Sequence, residues 1–339
     1  MKLKSIDAIP ELAGKCVFLR LCLNVPVKEG KVVEDFRIVK VLPTLKALIE
    51  RGANVTIGTH ISGGEEAFSI VSKYLNEQVP GNKYTLLPNL RDREGEKGNS
   101  PDFTRELAEG MDYYVNEDFA VSHREHASVV GLPKLLPSFV GYQFMQEMEH
   151  LSRFLKPKNP CMVILGGAKI ETKLPMIEAF LPKVAKIFLA GKFAAEISNV
   201  PSLKNNKVSL PEDVITYEGR VVDIGPKALA HIKEAVQSAR SVIWNGPLGY
   251  FEAGFDNSTK DLASTVASLS ADTVVGGGDL VASIKSLGLL DKFTFVSTGG
   301  GAMLDFLAHG TLPGIDAIIN CKLKIKSLPR GEALRGKKL

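Results

Sequence analysis

Short apolar runs alternate with longer segments of helical period along the chain. The run from Val17 to Leu21 precedes a helical segment from Ile38 to Ile49, and the run from Val55 to Thr59 precedes another from Ala67 to Val79. An apolar run of about five residues suits a buried strand, whereas apolar positions three and four residues apart suit one face of a helix. The alternation predicts strand–helix–strand units, which build parallel sheets covered by helices on both faces.

The same alternation continues in the second half of the chain. A helical segment from Lys227 to Ala239 follows Pro226, and proline suits the first turn of a helix. Both halves therefore belong to the α/β class. The strands predicted in the second half are Cys161 to Leu165, Ile187 to Ala190, Val242 to Trp244, Thr273 to Val275 and Thr294 to Ser297.

One amphipathic helix is predicted between the two halves. It covers Tyr142 to Lys156, and the prolines from Pro157 to Pro160 end it. The chain has 339 residues, about twice the length of a typical domain. We therefore predict two domains, residues 1–141 and 161–310, joined by a hinge helix and linker over residues 142–160.

Composition narrows the class of protein. Hydrophobic residues make up 45% of the chain and charged residues 24%, as in globular proteins. No stretch approaches the roughly 20 apolar residues of a membrane helix, and the first residues lack the apolar block of a secretory signal. The four cysteines show no CxxC spacing typical of zinc sites. We expect a cytoplasmic protein with reduced thiols and no membrane contact.

The net charge of +4 is unevenly distributed. Residues 322–339 contain seven basic residues and one acidic residue, a charge of +6, which leaves −2 for the rest of the chain. A short basic tail is most often a solvated end, and contact with RNA or an acidic partner is the alternative. The mildly acidic body gives no indication of nucleic-acid binding.

Glycine-rich turns follow the predicted strands of the second half. Because the carboxyl ends of parallel strands share one edge, these turns are expected to line one crevice, where backbone N–H groups approach a phosphate closely. One such turn is ordinarily a tight bend, but several on one edge indicate a nucleotide or polyanion site. The turns contain Gly166, Gly167 and Ala168, then Gly191, then Asn245 to Gly249, then Gly276 to Asp279, and then Thr298 to Gly301.

Several well-known catalytic motifs are missing from the sequence. It has no GxxxxGK[ST] and no strand-coupled GxGxxG, which excludes a P-loop and the dinucleotide fingerprint. It also lacks GxSxG, HExxH and the HRD and DFG set. A serine hydrolase, a zincin and a protein kinase are therefore not indicated.

Charged residues accompany the glycine turns. Lys169 and Lys173 lie four residues apart at the start of a predicted helix, so both ammonium groups can face one loop and hold phosphate. Asp279 follows three glycines, where a carboxylate either holds Mg²⁺ that bridges phosphates or, in its ordinary role, caps a helix.

The first half carries polar and cationic residues near the corresponding strand ends. They are Asn24, Arg37, His60 and Arg124. Each alone is most often a surface or capping residue, but arginine presents a fork that matches carboxylate and phosphate. Together they predict a small anionic substrate that faces the nucleotide across a cleft.

With these features, the chain resembles phosphoglycerate kinases over nearly its whole length. The resemblance implies two doubly wound, Rossmann-like α/β domains joined by a hinge helix, with residues 311–339 returning to the N-terminal domain. The matching segments are Phe18 to Pro26, Glu34 to Leu48, Asn116 to Ser128, Val163 to Lys173, Asp223 to Lys227, Val242 to Glu252, Val274 to Asp279 and Phe295 to Leu307.

The resemblance also implies reversible phosphoryl transfer between ATP or ADP and the carboxylate of 3-phosphoglycerate, in a monomer that closes around its hinge. Arg37 and Lys169 would stabilise the transferring phosphoryl group, and Asp279 would ligate Mg²⁺. The N–H groups of Gly300 and Gly301 would assist the transfer. The residues that would hold the glycerate are Asn24, Arg37, His60 and Arg124. Those that would bind the nucleotide are Gly166, Gly167, Ala168, Lys173, Gly191, Asn245, Pro247, Glu252, Gly278, Asp279, Thr298 and Gly299.

Three positions of the substrate half depart from the family pattern. Cys22 stands where the RxDxNxP motif has an aspartate for the substrate hydroxyl. Gly63 and Asn159 stand where two phosphate-binding arginines are expected. Each lost charge-assisted hydrogen bond costs about 1.5–3 kcal/mol. The basic residues offered as replacements by their place in the sequence are Arg91, Arg153 and Lys158.

The departures leave more than one function open. The transfer residues are complete, so a working but divergent phosphoglycerate kinase ranks first. Second is an acyl-phosphate kinase with an altered small carboxylate as its substrate. Third is a non-catalytic nucleotide-binding or RNA-interacting protein that uses the basic tail. In the nucleotide half, Lys192 replaces a family glycine and leaves the shape of the adenosine pocket open.

Overall fold

The computed structural model describes residues 3–167, 173–191 and 205–321. Strands and helices alternate within these residues, as the apolar pattern predicts. The strands are β1 (Cys16–Leu21), β2 (Val27–Lys28), β3 (Lys31–Val32), β4 (Asn54–Gly58), β5 (Tyr84–Leu86), β6 (Tyr113–Glu117), β7 (Ser138–Val140), β8 (Cys161–Leu165), β9 (Lys186–Leu189), β10 (Val208–Ser209), β11 (Val214–Tyr217), β12 (Arg220–Ile224), β13 (Ser241–Asn245), β14 (Asp272–Gly276) and β15 (Phe295–Ser297). The helices are α1 (Phe36–Glu50), α2 (Gly64–Gln78), α3 (Glu94–Lys97), α4 (Pro101–Ala108), α5 (Tyr142–Arg153), α6 (Leu174–Phe180), α7 (Pro226–Gln237), α8 (Asn257–Ala267), α9 (Gly278–Ser286), α10 (Gly301–His309) and α11 (Pro313–Ile319).

The first half folds around a parallel sheet with the strand order β5-β4-β1-β6-β7. Strand β1 is central and pairs with β4 and β6. Its successive side chains enter different hydrophobic clusters, Phe18 on one side and Val17 and Leu19 on the other. A strand buried on both faces is mostly apolar, which explains the run from Val17 to Leu21, interrupted by the buried Arg20.

The second half folds around another parallel sheet, with the order β10-β9-β8-β13-β14-β15. Val163 and Ile164 in its central strand β8 likewise enter two different clusters. The short pairs β2–β3 and β11–β12 are antiparallel and lie outside the two large sheets. Two parallel sheets with apolar packing on both faces confirm the predicted doubly wound α/β class.

Helix α5 lies between the two sheets in sequence, where the amphipathic segment predicts it. It ends at Arg153 rather than at Lys156. The chain turns at Phe154, whose N–H donates to the Leu151 carbonyl at 2.9 Å instead of continuing the α-helical pattern.

Two buried glutamates bond this helix to both halves of the molecule. Glu117, at the end of β6, accepts hydrogen bonds from the N–H groups of Gln143 and Phe144 at 2.9 Å each. Glu147, within α5, accepts one from the N–H of Thr298 at 2.7 Å. The helix is therefore tied to the end of a strand in each sheet.

The chain crosses back to the first half after α10. The N–H of Gly314 donates to the Ser122 carbonyl at 2.9 Å, and the Cys321 thiol donates to the Leu136 carbonyl at 3.5 Å. These contacts belong to residues up to 321. The basic tail, residues 322–339, lies outside the described residues.

The described residues include all four cysteines and the most apolar helices. All four cysteines are free, and Cys22 and Cys161 are buried. In the part of the chain that the structure describes, no single helix has the length and apolarity to cross a membrane, and only the bent pair α10 and α11 would meet that test together.

Candidate functional site

The glycine turns of the second half lie at one edge of its sheet. Strands β8, β13, β14 and β15 run parallel and in register, so Gly166, Gly246, Gly277 and Thr298 each follow a strand end on the same side. Gly191 follows the end of β9 on that side too. The expected crevice at the carboxyl ends of the strands is therefore present.

Two of these glycines are required by the close approach of backbone to backbone. A Cβ atom on Gly166 would lie 2.0 Å from the Pro247 carbonyl oxygen, and one on Gly191 would lie 2.7 Å from the Gly167 carbonyl oxygen. Real Cβ atoms do not approach oxygens so closely, so any side chain here would push the turns apart. The turns thus form one packed layer of backbone, in which the N–H groups of Gly166 and Gly167 donate to the carbonyls of Asn245 and Pro247 at 2.9 Å each.

Asn245 and Glu147 form hydrogen bonds with the turn that contains Gly300 and Gly301. The Nδ2 of Asn245 donates to the carbonyls of Gly276 and Gly300, at 3.1 and 3.0 Å. Glu147 accepts the Thr298 hydroxyl at 2.8 Å. Gly300 has φ +42°, in the region that favours glycine, and stands directly before the first residue of α10. The N-terminus of that helix therefore opens toward the crevice, with its exposed residue Gly301 in front.

Lys173 lies beside the first of these turns. Its Nζ donates to the Gly166 carbonyl, and burial lowers the pKa of Lys173 to about 8. A cation in a low-dielectric position is stabilised by an anion, which is what a nucleotide phosphate supplies. Three residues of this region that the sequence analysis singled out, Ala168, Lys169 and Lys192, lie outside the described residues.

A cavity of about 110 Å³ lies among the turns. Glu252 and Asp279 share its wall, and burial, followed by the like charge of Glu252, raises the pKa of Asp279. A divalent cation between these carboxylates and a phosphate would relieve that repulsion, so the donor set fits Mg²⁺ held by one carboxylate and the nucleotide. The residues that line the cavity are Gly167, Gly191, Val221, Val222, Pro247, Gly249, Tyr250, Glu252 and Asp279.

The metal, if bound, would depend on the nucleotide for most of its ligands. Within residues 3–167, 173–191 and 205–321 there is no group of three or more His, Cys, Asp or Glu residues arranged for a metal ion. Mg²⁺ commonly uses one or two carboxylates together with phosphate oxygens and water.

The first half of the site is built from side chains around a buried arginine. Arg20 is fully buried, and its Nη1 lies 2.9 Å from Asp118 Oδ2. Its Nε donates to the Ser128 hydroxyl at 3.0 Å, and that hydroxyl donates to Glu96 at 2.6 Å. A buried arginine with this many partners is a fixed support rather than a free substrate ligand.

Arg20 also sets the state of His60. Its Nη2 lies 3.1 Å from Nδ1 of His60, which is 5% exposed. Because arginine only donates, Nδ1 of His60 must accept, and the ring proton then resides on Nε2. Burial and the charge of Arg20 lower the pKa of His60 far below its ordinary value. His60 is therefore neutral at physiological pH, with one N–H to donate.

Cys22 is buried beside the same carboxylate. Burial, followed by the charge of Asp118, raises the pKa of the Cys22 thiol well above its ordinary value. Asp118 is itself fully buried and pairs with Arg20. A carboxylate thus lies close to position 22, although it belongs to a residue from the end of β6 rather than to the first strand.

Arg37 links the first half of the site to the second. Its Nη1 donates to the Asn24 carbonyl at 2.8 Å, and the Asn24 side chain accepts the Ser62 N–H at 2.8 Å. The charge of Arg37 also acts on Asp279, where it opposes the rise in pKa that burial and Glu252 cause. Arg37 is only partly buried, so part of its side chain remains open to solvent.

Further basic side chains gather near His60. Arg124 is exposed, and Arg91 has two buried nitrogens, Nε and Nη2, without a hydrogen-bond partner among the described residues. Burial, followed by the charges of Arg124 and Arg20, lowers the pKa of Arg91. Burial likewise lowers the pKa of His123 and of His126 to about 4. So many uncompensated donors in one place suit an anionic ligand.

The three basic residues offered as replacements for the missing arginines have different surroundings in the structure. Arg91 lies in the basic group just described. Arg153 pairs with Glu149 on the exposed face of α5 at 3.0 Å, and Lys158 pairs with Asp272 at 2.8 Å. The last two therefore bind carboxylates away from the basic group.

Sequence reasoning missed some of the residues at the site. Arg20 and Asp118 both lie in segments that match the family. They are 98 positions apart, and no local pattern indicates that they pair. Val221, Val222 and Tyr250 line the nucleotide cavity and follow no motif. Trp244, in β13, is fully buried, and its Nε1 donates to the Gly246 carbonyl at 3.0 Å.

Comparison with known proteins gives one consistent result. The family profile described as "Phosphoglycerate kinase" matches residues 6–79, 66–216 and 194–310. The phosphoglycerate kinase of Thermus thermophilus is 35% identical over 378 aligned positions, which cover 90% of this chain and 97% of that protein. The one from Orientia tsutsugamushi is 34% identical and covers 90% and 94%. The alignment has more positions than the 339 residues of this chain, so it contains gaps where that relative has segments that this chain lacks.

Solved structures agree with this result. The phosphoglycerate kinase from Pyrococcus horikoshii superposes with a TM-score of 0.82 at 28% identity, over 94% of this chain and 98% of that one. The one from Coxiella burnetii has a TM-score of 0.74 at 30% identity, over 94% and 99%. With profile, relatives and fold in agreement over nearly its whole length, the chain belongs to the phosphoglycerate kinase family.

Proposed function

We propose that the chain catalyses the reaction of its family with the residues named above. That reaction is the reversible transfer of a phosphoryl group between ATP and the carboxylate of 3-phosphoglycerate, and the chain is a phosphotransferase. The observation that carries the assignment of residues is the position of Arg37. Its guanidinium bonds to the Asn24 carbonyl on the substrate side and acts electrostatically on Asp279 in the nucleotide cavity. Phosphoryl transfer requires a cation close to both the acceptor carboxylate and the nucleotide phosphate.

The nucleotide side of the proposal rests on backbone groups together with one lysine and two carboxylates. Lys173 holds the phosphates, and Glu252 binds the ribose. The residues that contribute to the rest of the nucleotide site are Gly166, Gly167, Ala168, Gly191, Asn245 and Pro247. Gly278, Asp279, Thr298 and Gly299 complete it. Mg²⁺ held by Asp279 would neutralise charge on the phosphates when bound. The N–H groups of Gly300 and Gly301 donate to the equatorial oxygens as the phosphoryl group moves.

The substrate side uses fixed side chains. Asn24, His60 and Arg124 hold 3-phosphoglycerate, and Arg37 with Lys169 stabilises the transferring group. His60 donates from Nε2, since Arg20 occupies Nδ1. These side chains orient the carboxylate toward the nucleotide and exclude water, and positioning of this kind provides most of the catalysis in phosphoryl transfer.

The organisation of the chain belongs to the same proposal. Residues 1–141 would form the substrate domain, 142–160 the hinge and 161–310 the nucleotide domain, with 311–339 returning to the first. Hinge closure would bring Arg37 and Lys169 together before transfer. A cytoplasmic monomer remains the expectation, and sedimentation of the purified chain would test the oligomeric state.

The test is ATP consumption with 3-phosphoglycerate and Mg²⁺, followed through a dehydrogenase that consumes the acyl phosphate. We expect activity in the native chain and a loss of about 10²-fold or more in Lys169→Ala, since that variant lacks a cation at the transferring group. ATP binding without turnover by the native chain would contradict the proposal and favour an altered carboxylate.

A further inference from the structure

The residues directly before Arg37 contact the second half of the molecule. The Nζ of Lys285 lies 3.2 Å from Glu34 Oε1 and 2.6 Å from Asp35 Oδ1. Lys285 lies in the last turn of α9, and Asp279 lies in the first turn of the same helix. A forked ion pair therefore joins the start of α1 to the helix that carries the proposed metal ligand.

The two carboxylates of this pair are held in place from their own side. Glu34 Oε1 accepts the N–H of Phe36 at 2.7 Å, and Asp35 Oδ2 accepts the hydroxyl of Tyr74 at 2.7 Å. Glu34 is 8% exposed. Ion pairs between mobile surface side chains lose much of their benefit to side-chain entropy, and carboxylates that are already fixed lose less.

An apolar contact accompanies the ion pair. Phe36 is 9% exposed, and it belongs to a hydrophobic cluster whose other buried members all come from residues 162–296. Among them are Leu280, Val281 and Ile284 of α9. A side chain of the first half is thus buried in the core of the second.

We propose that Lys285, Glu34, Asp35 and Phe36 form a clasp between the halves that positions Arg37 for phosphoryl transfer. Arg37 follows Phe36 directly at the start of α1, and Lys285 is six residues, about 9 Å of helix, from Asp279. Holding Lys285 against Asp35 therefore fixes the guanidinium relative to the nucleotide cavity. Lys285 is a positioning residue, and this role rests on the proposed function of Arg37.

The first test compares Lys285→Met with a matched control, Lys233→Met. Lys233 pairs with Asp261 at 2.7 Å, and both residues belong to the second half, so the control removes a lysine of similar exposure from an ion pair that does not join the halves. We expect Lys285→Met to lower kcat about fivefold while the Kd for ATP from calorimetry stays within about twofold. Lys233→Met should leave both values unchanged. An equal kcat in the two variants, or a parallel loss of ATP affinity in Lys285→Met, would overturn the proposal.

A double-mutant cycle shows whether the partners act through each other. Asp35→Asn keeps an acceptor for Tyr74 but removes the charge that faces Lys285. If the clasp exists, adding Asp35→Asn to Lys285→Met lowers kcat no further, because the same contact is already broken. Fully additive losses would mean that the two residues act separately and would contradict the clasp.

Hydrogen exchange gives a readout that does not depend on catalysis. The peptide that covers residues 34–40 should exchange faster in Lys285→Met than in the native chain or in Lys233→Met, since the start of α1 has lost its contact. Unchanged exchange would overturn the clasp even in an active enzyme. An inactive native chain with faster exchange in Lys285→Met would instead refute the proposed function and leave the contact established.

Discussion

The two halves of the molecule contribute different groups to the candidate site, mainly backbone in one half and mainly side chains in the other. The nucleotide side is made of backbone, in which Gly166 and Gly191 allow turns from adjacent strand ends to pack at distances that no side chain tolerates. The substrate side is made of side chains, centred on Arg20 with its partners Asp118 and His60. One half presents a crevice of closely packed backbone, and the other presents a particular set of charges.

This difference between backbone and side chains explains which positions of the site depart from the family pattern. A backbone crevice has few residues that can be exchanged without moving the turns, so it retains the family pattern. A site made of side chains can exchange one residue at a time, as at Cys22, where a neighbouring carboxylate, Asp118, remains close. The departures from the family pattern accordingly concentrate on the substrate side, with Lys192 as the exception noted in the nucleotide half.

The largest effect is expected at the residue that joins the two halves. Arg37→Ala should lower kcat about 10²- to 10³-fold with little change in the Kd for ATP, because it removes a cation from the transferring group and leaves the nucleotide turns intact. Stopped-flow turnover and calorimetry with ATP measure the two quantities. Lys46→Ala, an exposed position on the same helix, is the control and should retain full activity.

A methyl group in the backbone crevice should disrupt the nucleotide side alone. Gly166→Ala places a Cβ 2.0 Å from the Pro247 carbonyl oxygen, so the two turns must separate, and we expect the Kd for ATP to rise by about 10²-fold. Gly98→Ala is the matched control, because its nearest neighbour, the Glu94 carbonyl oxygen, is 3.9 Å from the added atom. ATP affinity unchanged in Gly166→Ala would show that the crevice is not the nucleotide site.

A substitution among the side chains should affect the substrate side alone. His60→Phe removes the acceptor for Arg20 and the Nε2–H donor, and we expect the KM for 3-phosphoglycerate to rise about tenfold while the Kd for ATP is unchanged. His60→Gln, which keeps an acceptor and a donor, should recover part of the loss. Equal KM values in the two variants would refute a hydrogen-bonding role for His60.

The smallest effect is a pH dependence confined to the nucleotide side. The pKa of Lys173 is lowered by burial to about 8, so its ammonium is charged below that pH and neutral above it. ATP affinity should therefore be constant from pH 6.5 to 7.5 and fall as pH rises through 8, by up to about tenfold per pH unit. Calorimetry across this range measures the fall. Lys173→Arg, which stays charged, should bind ATP with an affinity independent of pH over the same interval.

The sequence predicts the backbone half of this comparison better than the side-chain half. The strand runs and the glycines after them predict β8, β13, β14 and the shared edge, because apolar periodicity and turn chemistry are local properties. Gly166 and Gly191 follow from that local pattern.

The network around Arg20 could not be predicted in this way. Arg20, His60, Glu96 and Asp118 meet only through the strand order β4-β1-β6, which local patterns do not encode. The clasp of Lys285 with Asp35 joins residues 250 positions apart, a pairing that only the packing of the two halves creates. The helix between the two halves was predicted in place, but its end at Arg153 depends on a turn at Phe154 that periodicity does not show.

The most direct test of the account compares kcat/KM for 3-phosphoglycerate with that for glycerate, which lacks the phosphate, in the native chain with Mg²⁺ and ATP. The account predicts that 3-phosphoglycerate is preferred by at least about 10²-fold, because the basic group around Arg91 and Arg124 recognises the phosphate in spite of Gly63 and Asn159. Equal values for the two substrates, or faster transfer to glycerate, would contradict the assignment of the substrate half.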